Sequence, residues 1–354
     1  MIPYIHPAPI TLLPGVSFHV FGLLVGIAVV TGAYVAQRRA ERNGHSARVI
    51  ADSAIWYVGV GFLFAHWFAV IFYYPDRIFG SECTTQAQCV SATWHGIWSS
   101  PNEFICQDNG RCNNGSWSSL LLIWNGISSV GGFIGAGIAM LIFQRVNRIP
   151  LIPNVFELEA AKGRPYLKYL DHAAYGMAFA WIFGRMACAM AHDHPGRPTH
   201  SIFGIPFPKA EWPQWVTPLG QEMFENESYI ARFDLGFMEM LWAIAISAVF
   251  FIVDRMKIQT RPGWYAANLV FWYAPYRLFL DSLRAVDIEG ADPRNAIGLT
   301  PAQVTVIFFA VIGIAIWVYG GQKMKDPTYM DETAFPREIE DRKRRESAEK
   351  QAAA

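Results

Sequence analysis

The sequence predicts an all-α polytopic membrane protein with seven transmembrane helices, and three observations lead there. Hydrophobic residues fill 53% of the 354 positions and charged residues only 16%, well below the roughly 25% charge of an average soluble domain. The apolar residues gather into seven runs close to the ~20 residues that cross a bilayer. No run shows the period-two alternation of a barrel strand, so a helical bundle is the expected way to satisfy the backbone in lipid. So much apolar surface excludes disorder for the bulk of the chain. With 29 basic and 29 acidic residues and no basic face, no nucleic-acid partner is expected.

The first run, 16–36, has no Lys or Arg before it and is followed by Arg38, Arg39 and Arg42. A cleaved signal peptide carries its positive charge in front, so this run reads as a retained helix entering from the outer side. The second run is 50–74. An insert over 75–117 follows and holds Cys83, Cys89, Cys106 and Cys112. Each neighbouring pair has the form C-x5-C, and the outer compartment favours disulfides. Cys83–Cys89 and Cys106–Cys112 is the expected pairing, among three connectivities open to four cysteines. Zinc is the rival, but the usual C-x2-4-C spacing is missing.

The third run, 118–143, contains small residues from Gly126 to Gly137, which permit close helix packing or leave a gap for acyl chains. The fourth run, 172–191, leads into a Pro- and Trp-rich outer loop, 192–234. Runs 235–253, 264–283 and 301–320 complete the bundle. A mixed-charge inner tail, 323–354, follows and is read as solvated. Residues 1–322 thus form the membrane domain. With the N-terminus outside, 20 of the 29 basic residues fall on inner segments and 6 on outer loops, as the positive-inside rule requires.

Ionisable residues inside spans face the bundle interior or a wet cavity. They are His66 in the second run, Arg185 in the fourth, Glu239 in the fifth, and Arg277, Asp281 and Arg284 at i, i+4, i+7 in the sixth. Arg185 lies about 9 Å below the end of its helix at 1.5 Å per residue. Glu239 opens an inward-running helix, and the Arg277 face approaches the outer surface. All therefore gather at headgroup depth. Arginine forks suit phosphate, so a lipid-headgroup cavity is expected; a structural Arg277–Asp281 pair is the plainer alternative. If the fourth helix reaches His192, then Arg185, Cys188 and His192 share a face. His192, Asp193, His194 and His200 are residue types that ligate metal, but a loop H-x-H without a helical i, i+4 pair is weak. No metal or other cofactor is expected there, and acid/base or substrate contact is preferred.

These residues, in this order, resemble the bacterial phosphatidylglycerol–prolipoprotein diacylglyceryl transferase family over most of the chain. His19-Val20-Phe21-Gly22-Leu23 resembles H-W-Y-G-L, and Gly126 to Gly132 resembles G-x-S-x-H-G-G. Gly184 to Arg197 resembles G-R-I-G-N-F-x-N-x-E-x-x-G-R, keeping Gly184, Arg185, Gly196 and Arg197. Glu239 matches the Glu of Q-L-Y-E. Arg261-Pro262-Gly263 and Arg277-x3-Asp281-x2-Arg284 with Asp287 resemble R-P-G and R-F-x-x-E-F-x-R, and Gly298-Leu299-Thr300-x2-Gln303 resembles G-x-L-T-x-G-Q. The departures are Val130 for the motif His, Phe21 for Tyr, Cys188 for Asn, Asp193 and Asp281 for Glu, and His66 for the Arg of G-A-R.

The resemblance implies a multi-pass enzyme of the bacterial inner membrane, its N-terminus and active site periplasmic and its C-terminus cytoplasmic. The insert and the 192–234 loop would form a periplasmic cap. Its partners would be phosphatidylglycerol, a prolipoprotein signal peptide and membrane lipid. The reaction moves diacylglycerol to a cysteine thiol and releases glycerol phosphate. The thiol must become a thiolate and the departing phosphate needs positive charge. Arg185 and Arg277 suit the second task. His66 or His192, and less readily His194, replace the missing histidine for the first. His19, Cys188, Asp193, His194, Gly196, Arg197, Glu239, Asp281 and Arg284 are the expected substrate contacts. A transferase with another acceptor, or a non-catalytic binder of anionic lipid, remains open.

Overall fold

The computed structural model describes residues 1–8, 10–13, 16–85, 88–89, 105–123, 128–152, 156–288, 298–331 and 335–353. Gly126, part of the small-residue segment, lies outside them. Five helices are long and apolar enough to cross a membrane. They are α1 (Val20–Arg42), α2 (Ala47–Phe68, running on as a π-helical turn Ala69–Tyr73), α4 (Tyr166–Ala191), α5 (Leu235–Arg255) and α7 (Pro301–Met324). The third and sixth runs also become helices, α3 (Ser129–Phe143) and α6 (Trp264–Ser282), but fall short of that standard. α3 has only 15 residues, and α6 carries Arg277, Asp281 and an internal Pro275.

The chain divides into two compact units: residues 1–51 with 163–354, and residues 52–162. In the first, α1 packs on α4, α4 on α5, and α6 on α7. Small residues allow the α1–α4 approach: a Cβ on Gly32 would lie 2.8 Å from the Ala180 Cβ, and one on Gly176 only 2.3 Å from the Gly32 carbonyl oxygen. The outward faces stay apolar, with Val30 69%, Phe308 61% and Val311 60% exposed, as suits helices solvated by lipid rather than water.

The all-α expectation holds for the spans but not for the loops. The 192–234 loop folds into a three-stranded antiparallel sheet of order β5-β7-β6, with β5 Pro195–Pro198, β6 Gly204–Pro208 and β7 Tyr229–Asp234. Proline cannot donate to a ladder and is confined to edges. The two proline-bearing strands are accordingly the edges and the proline-free β7 the centre. Two small hairpins, β1–β2 (Ile10–Leu13 and Val16–Phe18) and β3–β4 (Arg148–Ile152 and Phe156–Glu159), complete the strands described.

In the second unit α3 lies tightly on α2. A Cβ on Gly131 would meet the Phe64 carbonyl and Phe68 Cβ at 2.4 Å, and one on Gly135 the Phe64 Cβ at 2.6 Å. Close packing, not an acyl-chain gap, is what these two glycines serve. The disulfides are Cys83–Cys106 and Cys89–Cys112, which corrects the expected pairing. Cys106 and Cys112 face each other across a backbone bridge around a turn closed by Gly110 N–H donating to the Gln107 carbonyl. That hairpin lies along the 81–83 segment, with Cys112 N–H donating to Ser81 and Cys83 N–H to Gly110. Cross-links therefore join the two segments, closing 23-residue loops. In the chain-entropy picture, longer loops stabilise more than five-residue ones.

The charged tail is not wholly solvated. Pro336–Ala353 forms helix α8, and its Glu338 is 1% exposed. Arg164 Nη1 donates to Glu338 Oε1 at 2.8 Å and to Asp341 Oδ2 at 2.6 Å.

Candidate active site

Three consecutive long helices of the first unit bring one charged group each to a common point. Arg185 on α4 donates through Nη2 to Glu239 Oε1 at 2.8 Å, and Arg277 on α6 donates through Nη1 to Glu239 Oε2 at 3.0 Å. Each carboxylate oxygen of the α5 glutamate thus takes one guanidinium, and the two arginines converge rather than diverge. The Glu239 side chain is 1% exposed, Arg277 8% and Arg185 14%. Trp181 Nε1 also donates to Glu239, at 3.3 Å. Trp181, Trp242 and Tyr273 pack ring to ring around the group, with centroids 4.7–5.8 Å apart. Aromatic walls keep the local dielectric low, which strengthens every charge interaction inside.

A second carboxylate, Asp281, lies one turn further along α6, 3.5 Å from Arg277 and 3.3 Å from Arg284. It also accepts from the Thr300 hydroxyl. Thr300 is the N-cap of α7, and with Gln303 it forms a reciprocal capping box. The G-L-T-P-A-Q segment therefore caps a helix and pins Asp281 at once. The cluster holds three guanidiniums against two carboxylates, a surplus of one positive charge, and of the two arginines on Glu239 the less buried is Arg185. Such a surplus suits an anion.

The fourth helix stops at Ala191, one residue short of the expected shared face. His192 closes it in the left-handed region, at φ 53° and ψ 33°. Asp234 Oδ2 lies 2.7 Å from its Nδ1 and the Ile5 carbonyl 3.1 Å from its Nε2. Its ring packs on Tyr4, His6, Phe207 and Trp212. With both nitrogens engaged and 2% exposure, His192 fixes a sharp change of chain direction.

That turn sets Asp193 and His194 back against the helix end. His194 Nδ1 is 2.5 Å from Asp193 Oδ1, and the donor atoms of Cys188, Asp193 and His194 all lie within 4.8 Å of one another. Cys188 Sγ is 3.8 Å from Arg185 Nη1. The Cys188 backbone is itself held by close approach to α5, where a Cβ on Gly236 would meet Cys188 Cβ at 3.0 Å. His200 is elsewhere, its ring on Phe224.

The other expected contacts divide. Gly196 is a packing glycine: a Cβ there would meet Phe233 Cβ at 2.7 Å and the Leu283 carbonyl at 2.9 Å. Arg197 N–H donates to the same carbonyl, while its side chain is exposed. His19 is exposed at the N-cap of α1. His66 belongs to the second unit, fully buried with Nε2 2.9 Å from the Ser119 carbonyl. Val130 is in the first turn of α3.

Sequence reasoning passed over Arg232, which it counted only as one of the basic residues of the outer loops. Arg232 is fully buried, donating to both Asp287 oxygens (3.0 and 2.9 Å), the Thr217 hydroxyl and two backbone carbonyls. Burial raises the Asp287 pKa, but hydrogen bonds from Arg232 and Thr217 outweigh it and hold the carboxyl below its usual range. The signal was Asp287 itself, three residues past the arginine–aspartate–arginine face of α6.

The family model for prolipoprotein diacylglyceryl transferase matches residues 7–319. The phosphatidylglycerol–prolipoprotein diacylglyceryl transferase of Listeria innocua is 23% identical over 325 residues, covering 90% of this chain and 91% of its own. That of Lactiplantibacillus plantarum is 25% identical over 316 residues, 87% and 88% of the two chains. The Staphylococcus carnosus enzyme of that name is 22% identical over 337 residues, 95% and 98%.

Proposed function

The chain belongs to the prolipoprotein diacylglyceryl transferase family, and from that premise we propose that it transfers the diacylglyceryl group of phosphatidylglycerol to the lipobox cysteine of a prolipoprotein. The observation that carries this reading is the bridge of Arg185 and Arg277 across Glu239. Glu239 aligns the two guanidiniums and leaves the group one charge short of neutral. A phosphodiester headgroup supplies that charge. As the C–O bond to phosphate breaks, the released glycerol phosphate gains a further negative charge, and the arginines stabilise it more strongly than the bound lipid. That difference is what lowers a barrier.

The acceptor thiol loses its proton and its sulfur forms the new C–S bond. Val130 stands at the motif histidine, so deprotonation falls to another group, and of the three imidazoles singled out in the sequence His66 and His194 are the candidates kept for it. In this reading His192 positions the loop. In this reading all seven apolar runs span the bacterial inner membrane, α3 and α6 included, and the cluster, the disulfide insert and the β5-β7-β6 loop all lie on the periplasmic side.

The test is a purified preparation in phosphatidylglycerol vesicles given a lipobox peptide. A peptide mass increase of one diacylglyceryl unit, abolished by Arg185→Ala, is expected. Unmodified peptide from protein that still binds the vesicle lipid would mark a binder and overturn the reading.

A further inference from the structure

We infer that Cys188, Asp193 and His194 form a site for a borderline-soft divalent cation of the zinc class, whose open fourth position takes the acceptor thiolate. The inference rests on the transferase reading for its role but not for its existence. Three donors of different type (a thiol, a carboxylate and an imidazole) have their ligating atoms within 4.8 Å of one another. Around a tetrahedral zinc such atoms lie about 3.4–3.6 Å apart, so small side-chain rotations close the site. Three protein ligands with a fourth position open is the arrangement of catalytic zinc, and mixed S, N and O donors favour zinc over magnesium or calcium.

The backbone supports the same conclusion. His192 is one of two described non-glycine residues at positive φ, and its ring is held by Asp234, Ile5 and the surrounding aromatics. A strained residue that its surroundings over-determine is a pointer to function. Here the strain folds Asp193 and His194 back over Cys188. Gly236 fixes the other side by letting α5 approach Cys188 closely.

Charge fits as well. A thiolate and a carboxylate neutralise a divalent cation, with the imidazole neutral. The neighbouring Arg185 guanidinium lies 3.8 Å from the sulfur and is itself paired with Glu239. Two departures of this chain from its family's motifs, Cys188 and Asp193, supply two of the three ligands, in a chain where Val130 replaces the motif histidine. A metal replaces a base by making the thiol acidic, since a coordinated thiol is deprotonated outright. An ion held by Cys188, Asp193 and His194 would take the acceptor sulfur as its fourth ligand, and the thiol proton would pass to water. The sulfur forms the C–S bond as the lipid C–O bond breaks, and the electron pair departs on the glycerol phosphate oxygen beside Arg185 and Arg277.

The test is cobalt titration of the chelator-stripped, detergent-solubilised full chain. The other four cysteines are in disulfides, so Cys188 is the single free thiol. A thiolate-to-cobalt charge-transfer band can then come only from Cys188. The expected result is one cobalt per chain with that band, loss of the band in Cys188→Ser, and at least about tenfold weaker binding in His194→Gln. Near-ultraviolet circular dichroism of both variants should match wild type, showing that they fold. No band in the wild type, or a band unchanged by His194→Gln, overturns the site. Binding with the band but no peptide modification keeps the site and sinks the transferase reading. Peptide modification that survives chelation with no metal retained does the reverse.

Discussion

Arg164 and the Arg185–Arg277 pair are both buried arginine centres, and they are built with opposite charge balance. Arg164, 3% exposed, faces Glu338 and Asp341, so one guanidinium meets two carboxylates and this balance leaves nothing for an outside anion. At the other centre two guanidiniums share Glu239. A buried cation that is fully paired fastens pieces of chain together, here α8 to the base of α4. A centre short of negative charge is instead set up to receive it from a ligand. The contrast also separates two costs, because breaking the first is a loss of stability and breaking the second a loss of rate.

The largest expected effect is on the paired centre. Arg164→Ala leaves Glu338 and Asp341 without their cation, and removing one partner of a buried ion pair costs about 3–5 kcal/mol. Thermal denaturation should show a marked fall in melting temperature, with protease cutting within 336–353 while transfer activity per folded molecule is kept. Equal loss of activity and stability would erase the distinction between the two centres.

A smaller effect concerns acid. His45 sits between α1 and α2, its Nδ1 2.9 Å from His172 Nε2. Burial, then Lys168 and Arg39, lower its pKa to about 3. The unfolded imidazole titrates near 6.5, so below that pH the unfolded chain takes a proton that the folded chain refuses. Stability therefore falls as pH drops from about 6.5 toward 3, by at most about 1.4 kcal/mol per pH unit. His45→Gln should flatten the melting-temperature profile between pH 7 and 5, whereas an unchanged slope would assign the acid sensitivity elsewhere.

The parts legible from sequence were those set by period and spacing. Apolar run length found a helix in each of the seven runs, five of them long and apolar enough to cross a membrane, and i, i+4 spacing put Arg277 and Asp281 on one face of α6, while Arg284, expected with them, lies past the helix end and still pairs with Asp281. Of the two readings open for the stripe of small residues, packing or an acyl-chain gap, packing is the one that Gly131 and Gly135 serve. What was not legible depends on partners distant in sequence. Glu239 stands out in the sequence as an ionisable residue within an apolar run, but its place between two arginines is set by how α4, α5 and α6 pack. The disulfide pairing follows from a hairpin whose alignment with the 81–83 segment is set by backbone hydrogen bonds, which cysteine spacing does not encode. A face shared by Arg185, Cys188 and His192 required the fourth helix to reach His192, and the helix stops at Ala191. Asp234 and Ile5 hold the His192 ring in the turn instead, and neither is near it in sequence.

The most direct measurement is the turnover number for glycerol phosphate release from phosphatidylglycerol vesicles by Arg277→Gln, set beside Arg164→Gln and read with each variant's melting temperature. Losing one electrostatic donor to a departing oxyanion costs about 10²–10³ in turnover. Arg277→Gln should therefore fall by that factor while melting near wild type, and Arg164→Gln should keep its turnover while melting lower. Undiminished turnover in Arg277→Gln would contradict an arginine pair that receives the lipid phosphate.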